Sequence, residues 1–350
     1  MKYRKLGTTD LDVSVICLGT MTFGEQNTQQ DAFNQMDYAI EKGVNFFDTA
    51  ELYAVMPRKE TYGKTEEIVG NWFKEKKNRK KIILASKIAS KSDGLEWIRG
   101  GSKTLGFDKL NMNAAIDASL KRLNTDYIDL YQLHWPERKV PKFGQLDYKY
   151  DPSDNKWTAI EEVLYNLDQL VKAGKIRYAG LSNETPWGMM KFLQVAKEKN
   201  LPRMMSIQNV YSLVNRVFDI ANSEVSISEN CGLLAYSPLA GGRLSGKYIG
   251  NLHPKNARYT LWPQRFSRHH TEKGEIAIKK YVNLSTKYGI AASTFANAFV
   301  NDRPFVTSNI IGATTMDQLK ENIDSIDIEI NDEMLKEIEN IHLTYPNPCV

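Results

Sequence analysis

The stretch NMNAAIDASLKRLNTDYIDLYQLH, Asn111 to His134, holds a complete helix-then-strand pattern. Met112, Ala115, Ile116, Ser119, Leu120 and Leu123 recur at i, i+3, i+4, i+7, i+8 and i+11, one continuous stripe with helical period. The short apolar run Tyr127–His134 follows and reads as a strand. Outward from here the same alternation recurs about eight times, with candidate strands Val15–Leu18, Asn45–Asp48, Ile82–Lys87, Tyr127–His134, Ile176–Ser182, Met205–Asn209, Leu233–Ser237 and Asn309–Gly312. Another helix opens at Thr185 and Pro186, an N-cap followed by proline at the first helical position, and turns Met189, Met190, Leu193 and Ala196 inward.

A parallel crossover needs a covering helix, so this repeated alternation predicts a closed α/β barrel, the (β/α)8 TIM barrel. A doubly wound sheet is the competing architecture. It would carry G-x-G-x-x-G after its first strand, and that pattern is absent. Before the first strand, Tyr3–Lys5 and Leu11–Ser14 flank the turn-forming GTTD and predict a β-hairpin that plugs the barrel floor. Asp332–Ile341 predicts an extra C-terminal helix, and no linker divides residues 1–350, so one domain is expected. The long connections are Tyr53–Lys64, Ile88–Lys109 and Trp135–Lys156, all after strands, on the face where barrel enzymes assemble their sites.

Composition narrows the function. The chain has 350 residues, 42% hydrophobic and 25% charged, enough for one large core. The net charge of +4 is spread out, and the densest basic stretch, Lys74 to Lys81, reads as a helix end rather than a nucleic-acid footprint. MKYRKLG lacks an apolar signal region and no apolar run reaches the length of about 18 residues that spans a membrane. A soluble, cytoplasmic protein without membrane insertion is expected. Cys17, Cys231 and Cys349 have no metal-site or disulfide spacing and read as structural.

In such a barrel the chemistry lies at the strand ends: Asp48, Lys87, His134, Ser182-Asn183, Gln208-Asn209 and Tyr236-Ser237. Singly, a strand-end Asp is usually a turn residue, a Lys a surface group, and a loop Tyr ordinary packing. Together they differ, because a Lys and an Asp facing one barrel mouth are expensive to bury unpaired. Lys87, held by Asp48, would favour the phenolate of Tyr53 and lower its pKa, and a neutral His134 would orient a carbonyl oxygen toward it. No G-x-S-x-G elbow occurs, and His269-His270 lie in a polar loop without an H-E-x-x-H companion, so the attacking group is expected from a cofactor, as a hydride.

These four residues, with GTMTFG at Gly19–Gly24, GLSN at Gly180–Asn183, YSPLAGG at Tyr236–Gly242 and GATTMDQLKENI at Gly312–Ile323, resemble the aldo-keto reductase superfamily across essentially the whole chain. GTMTFGEQ, LHWPER and GATTMDQLK are similar to its bacterial Tas-like branch. The resemblance implies a barrel that binds NADP(H) extended and reduces a small-molecule carbonyl substrate, with Tyr53 as proton donor supported by Lys87 and Asp48. It implies that Thr20 lies in the cofactor site, that Ser182, Asn183 and Gln208 hold the carboxamide, and that Tyr236 stacks on the nicotinamide. Ser237, Leu239, Gly241, Lys247 and Arg258 would cradle the phosphates, and Gly312, Thr314, Gln318, Glu321 and Asn322 the adenosine end. Many members carry Lys and Arg where this chain has Gly312 and Gln318; the branch it resembles also lacks them and favours NADPH, so NADP is retained.

Potassium-channel β subunits share the barrel, tetrad and cofactor site, so a cofactor-loaded redox sensor with weak catalysis is the alternative. An insertion, AVMPRKET, separates Tyr53 from Tyr62. It reads either as a tolerated surface loop or as a lid whose Arg58 and Lys59 narrow the mouth with Trp135, Phe143, Tyr148 and Tyr150 and favour acidic or phosphorylated carbonyls.

Overall fold

The hairpin comes first, as β1 (Tyr3–Lys5) antiparallel to β2 (Asp12–Ser14). After it, β3 (Ile16–Gly19), β4 (Phe46–Asp48), β5 (Ile83–Ile88), β6 (Ile128–Leu133), β7 (Ile176–Ser182), β8 (Met204–Val210), β9 (Gly232–Tyr236) and β10 (Val306–Ile311) form a closed parallel barrel. Closure is made by β10 against β3, with Asn309 opposite Ile16. The protein is thus a (β/α)8 TIM barrel, seen here in a computed structural model that describes residues 1–101, 105–264 and 267–350.

Helices α1 (Gln29–Glu41), α2 (Lys64–Lys76), α3 (Lys109–Leu123), α4 (Ile160–Lys172), α5 (Pro186–Lys199) and α6 (Asn222–Ser228) each return the chain from one strand to the next. The stripe of α3 packs inward as its period requires, and Asp108 caps it by accepting from the Leu110 and Asn111 amides. In α5, Thr185 accepts from the Gly188 amide, but Met190 is 40% exposed, and Phe192 faces the core in its place.

The strand β10 begins three residues earlier than the sequence pattern indicates, since Val306 pairs with Leu233. The sequence reading also missed a fourth long connection, after β9. From Ser237 to Thr271 it carries 3-10 turns and the one-turn α7 (Arg258–Leu261), before α8 (Glu272–Lys287) and α9 (Ala292–Asp302). Gly241 and Gly242 sit there at φ +68° and +96°, a backbone without the periodicity that marks regular elements. The helices α10 (Met316–Asp324) and α11 (Asp332–Thr344) end the fold.

Side chains alternate across each strand, and this decides what the barrel encloses. Leu6, Leu11 and Val13 of the hairpin meet Cys17, Phe46, Ala85, Leu130, Leu234 and Ile310 inside the barrel, an apolar floor. Gly7 sits at the hairpin turn, where a Cβ would come within 2.5 Å of the Met205 carbonyl oxygen. Two residues above Phe46, Ala85, Leu130 and Leu234 stand Asp48, Lys87, Gln132 and Tyr236, so the next layer is polar. No helix of the described residues is long and apolar enough to cross a membrane.

Candidate active site

Asp48 and Lys87 are both buried, with Lys87 Nζ 2.6 Å from Asp48 Oδ2 and 2.9 Å from the Thr49 carbonyl oxygen. Burial opposes the ammonium, but Asp48 and then Tyr53 outweigh it and hold Lys87 above its ordinary pKa. The other carboxylate oxygen, Asp48 Oδ1, accepts from Gln208 Nε2 at 2.9 Å and Gln132 Nε2 at 3.1 Å. Gln132 was not singled out from the sequence. Its signal is its register opposite Lys87 across β5 and β6, which only the paired strands reveal.

Tyr53 lies just past β4, where its amide donates to the Ala50 carbonyl oxygen and turns the phenol back over the barrel, 3.3 Å from Lys87 Nζ. The expected lowering of its pKa is not the net result. Burial pushes the phenol up, and the nearby Lys87 ammonium offsets this only in part. The hydroxyl therefore holds its proton at neutral pH, the state an acid needs before it acts.

His134 follows β6 and meets Tyr53 edge to face, with ring centroids 5.8 Å apart. Burial, and then the Lys87 charge, holds the imidazole well below its ordinary pKa, so it is neutral. Its Nδ1 is buried without a hydrogen-bond partner. Ser182, Asn183 and Tyr236 form one chain of bonds beside it: Ser182 Oγ donates to the Gln208 carbonyl oxygen at 2.8 Å and Tyr236 Oη to Asn183 Oδ1 at 2.7 Å. Asn183 Nδ2 donates to the His134 carbonyl oxygen at 2.8 Å. Both amide hydrogens of Gln208 are taken by Asp48 and Gln132. Of its side-chain amide only Oε1 is left to meet a carboxamide, a narrower role than the sequence implied.

One cleft of about 1040 Å³ runs from Asp48, Tyr53 and His134 past Tyr236 to Asn322. Thr20, Ser182, Asn183, Gln208, Ser237, Leu239, Gly241, Lys247, Arg258, Gly312, Thr314, Gln318 and Glu321 all line it, and Lys87 lies beneath. After β9, Ser237, Ala240, Gly241 and Gly242 have positive φ, and the Ala240 and Gly242 amides donate within the turn, to the Ser237 and Leu239 carbonyl oxygens. Lys247 and Arg258 face this turn, and burial holds both below their ordinary pKa, with Arg258 further depressing Lys247. Such a pair gains from an anion. At the far end Thr314 N donates to Gln318 Oε1 at 3.0 Å, Asn322 Nδ2 to the Gly312 carbonyl oxygen at 3.1 Å, and Ser293 to Glu321. The residues present therefore fit a long, phosphate-bearing dinucleotide.

His269, expected in a polar loop, is instead buried, with Nδ1 2.5 Å from Tyr259 Oη, which donates to the Ala240 carbonyl oxygen. It braces the turn through Tyr259. Arg268 stands beside Tyr236 and was also missed, because it reaches the cleft from far along the chain.

The insertion combines its two expected readings, with an exposed charged part and a part at the cleft. Arg58 turns away to pair with Glu25, and Arg58, Lys59 and Glu60 are exposed. Val55, Met56 and Pro57 are the part that lines the cleft. Trp135 and Phe143 line it as expected, but Tyr148 and Tyr150 are 65% and 79% exposed and lie outside it.

A sequence model described as the aldo/keto reductase family matches residues 15–342. The chain is 45% identical to the protein tas of Escherichia coli (strain K12) over the full length of both. It is 38% identical to an aldo-keto reductase of Babesia bovis, over 77% of this chain and 98% of that protein. It is 33% identical to the uncharacterized oxidoreductase YrpG of Bacillus subtilis (strain 168), over 99% and 97%.

Proposed function

The chain belongs to the aldo/keto reductase family, in its Tas-like branch, and from that premise we propose that it reduces aldehydes or ketones to alcohols with NADPH and with Tyr53 as proton donor. The observation that carries this reading is the placement of Tyr53 Oη 3.3 Å from the buried Lys87 ammonium, at the mouth of the dinucleotide-sized cleft.

When bound in this cleft, NADPH would supply the hydride. The protein does the rest. His134, neutral and with its ring against Tyr53, donates to the substrate oxygen and fixes where that oxygen lies. Tyr53 gives up its phenolic proton to the same oxygen as negative charge develops there, and Lys87 stabilises the phenolate left behind. Asp48 keeps Lys87 charged and aimed. Ser182, Asn183 and Gln208 Oε1 would hold the carboxamide of the cofactor, and Tyr236 would line the place of its nicotinamide ring. Lys247, Arg258 and the amides after β9 bind the phosphates, and the segment from Gly312 to Asn322 the adenosine.

A steady-state assay of the purified protein with NADPH and a panel of aldehydes tests the reading. Many turnovers per protein molecule are expected. A single oxidation of tightly retained NADPH would instead favour a redox sensor.

A further inference from the structure

One cation at the mouth of the cleft has no task in the reductase reading. Lys142, on the long connection after β6, lines the cleft together with Trp135 and Phe143. Among the described residues its ammonium forms no hydrogen bond and no ion pair. Burial holds it below its ordinary pKa, and the carboxylates of Asp154 and Glu184 offset this only in part. Both carboxylates are already engaged. Asp154 Oδ2 accepts from the Lys139 amide at 2.7 Å, while Glu184 Oε1 accepts from Arg138 Nη2 at 2.6 Å and from the Thr185 amide at 2.7 Å. Asp93, a third acid on the rim, acts on Lys139, which pairs with Asp151, and is not among the charges acting on Lys142. A half-buried ammonium that has lost part of its water and has no counter-ion in contact gains from an anionic ligand.

The connection that carries Lys142 is held at several points. Trp135 is buried, and its indole N–H donates to the Lys91 carbonyl oxygen at 2.9 Å. The Trp135 ring lies 4.8 Å from that of His134 and 6.2 Å from that of Phe143, centroid to centroid. Gly144, at φ +101°, passes so near the segment after β9 that a Cβ on it would lie 3.2 Å from Arg268 Cβ. The cations of the phosphate end are a separate group. Arg258 acts on Lys247, and Arg268 stands beside the Tyr236 hydroxyl. None of the three is among the charges acting on Lys142.

We propose that Lys142 forms a carboxylate subsite for the carbonyl substrate. The compound reduced places its aldehyde or keto oxygen at Tyr53 and His134 and carries, several bonds away, a carboxylate that pairs with the Lys142 ammonium. This rests on the reductase reading. One indole stands between the His134 imidazole and the ring of Phe143, the residue next to Lys142, which sets the carboxylate apart from the carbonyl rather than beside it as in a 2-oxo acid. A single ammonium matches a monoanion, whereas a phosphate monoester brings further negative charge that no second cation here receives. Arg58 of the insertion, bound to Glu25, takes no part.

The test compares 4-carboxybenzaldehyde with its methyl ester, which keeps the ring and the carbonyl and removes the charge, in the purified protein with NADPH. The acid is expected to exceed the ester by at least about tenfold in kcat/KM, with the difference in KM, because the contact is remote from the reacting carbon. Lys142→Met keeps most of the stem and removes the charge. It should bring the two compounds within about twofold of each other and leave kcat/KM for the ester as it was. The corresponding alcohols, titrated into protein saturated with NADP and followed by tryptophan fluorescence, give the same comparison without catalysis. A parent protein that handles the ester as well as the acid, or a preference for the acid that survives in Lys142→Met, overturns the subsite. Absence of turnover with a Lys142-dependent preference in binding would refute the reductase reading and leave the subsite standing.

Discussion

Lys87 Nζ stands 3.3 Å from Tyr53 Oη, and its charge pulls the phenol's proton affinity down while burial pushes it up. Removing Lys87 leaves burial and the Asp48 carboxylate acting together, both of which raise the Tyr53 pKa. Lys87→Met should therefore move the basic limb of the pH profile for alcohol oxidation upward and lower kcat by about 100-fold or more. A profile measured from pH 6 to pH 11 that keeps its limb in place would count against this account of the pair.

Asp48 accepts three bonds in one small space, since Lys87, Gln132 and Gln208 converge on its two oxygens. Asp48→Ala strands a buried ammonium and two buried amides. The expected cost is about 3–5 kcal/mol of folding stability, read as the shift in a urea denaturation midpoint; a loss below about 1 kcal/mol would mean that the pair is far better solvated than its burial indicates.

Gly241 tests the turn after β9 without touching the proton donor. A Cβ there would lie 2.4 Å from Tyr259 Oη, on a backbone at φ +68°. Gly241→Ala must displace either the turn or Tyr259 and its His269 brace. NADPH affinity should fall at least about tenfold, roughly 1.4 kcal/mol. Titration of the intrinsic fluorescence with NADPH measures it, and an unchanged Kd would show that the turn does not set phosphate binding.

Burial first, and then the charges of Arg268 and Arg258, holds His269 at a pKa of about 3 against an ordinary value of 6.5. Between these values the unfolded chain binds a proton that the folded one refuses, so stability rises with pH. On acidification it should fall through this window by up to about 1.4 kcal/mol per pH unit for this group. His134 is shifted in the same direction by its burial and adds to the slope. Urea midpoints of His269→Gln between pH 7 and pH 4.5 should decline less steeply than those of the parent; parallel declines would contradict the assignment.

The strand ends were legible in the sequence because a barrel makes geometry out of period. Once β4, β5 and β6 are placed side by side, Asp48, Lys87 and His134 converge without any knowledge of side-chain packing. Gln132 was not legible, since within YQLH it is one polar residue in an apolar run, and only the register against Lys87 turns it toward Asp48. Nor was the partner of Arg58, because Glu25 comes from the loop after β3 and no spacing rule joins the two. The direction of the Tyr53 shift was misread for a related reason: the ammonium was visible in sequence, whereas the depth of burial opposing it was not. The turn after β9 was reached only through the family resemblance, because positive-φ residues leave no periodic trace.

The most direct test of the central claim is Tyr53→Phe. The substitution removes the phenolic oxygen and keeps the ring that packs against His134. With saturating NADPH and an aldehyde that the parent protein reduces, the variant should bind NADPH with a Kd within about twofold of the parent and lose at least about 100-fold in kcat. A variant that retains most of its turnover would contradict the assignment of Tyr53 as the proton donor.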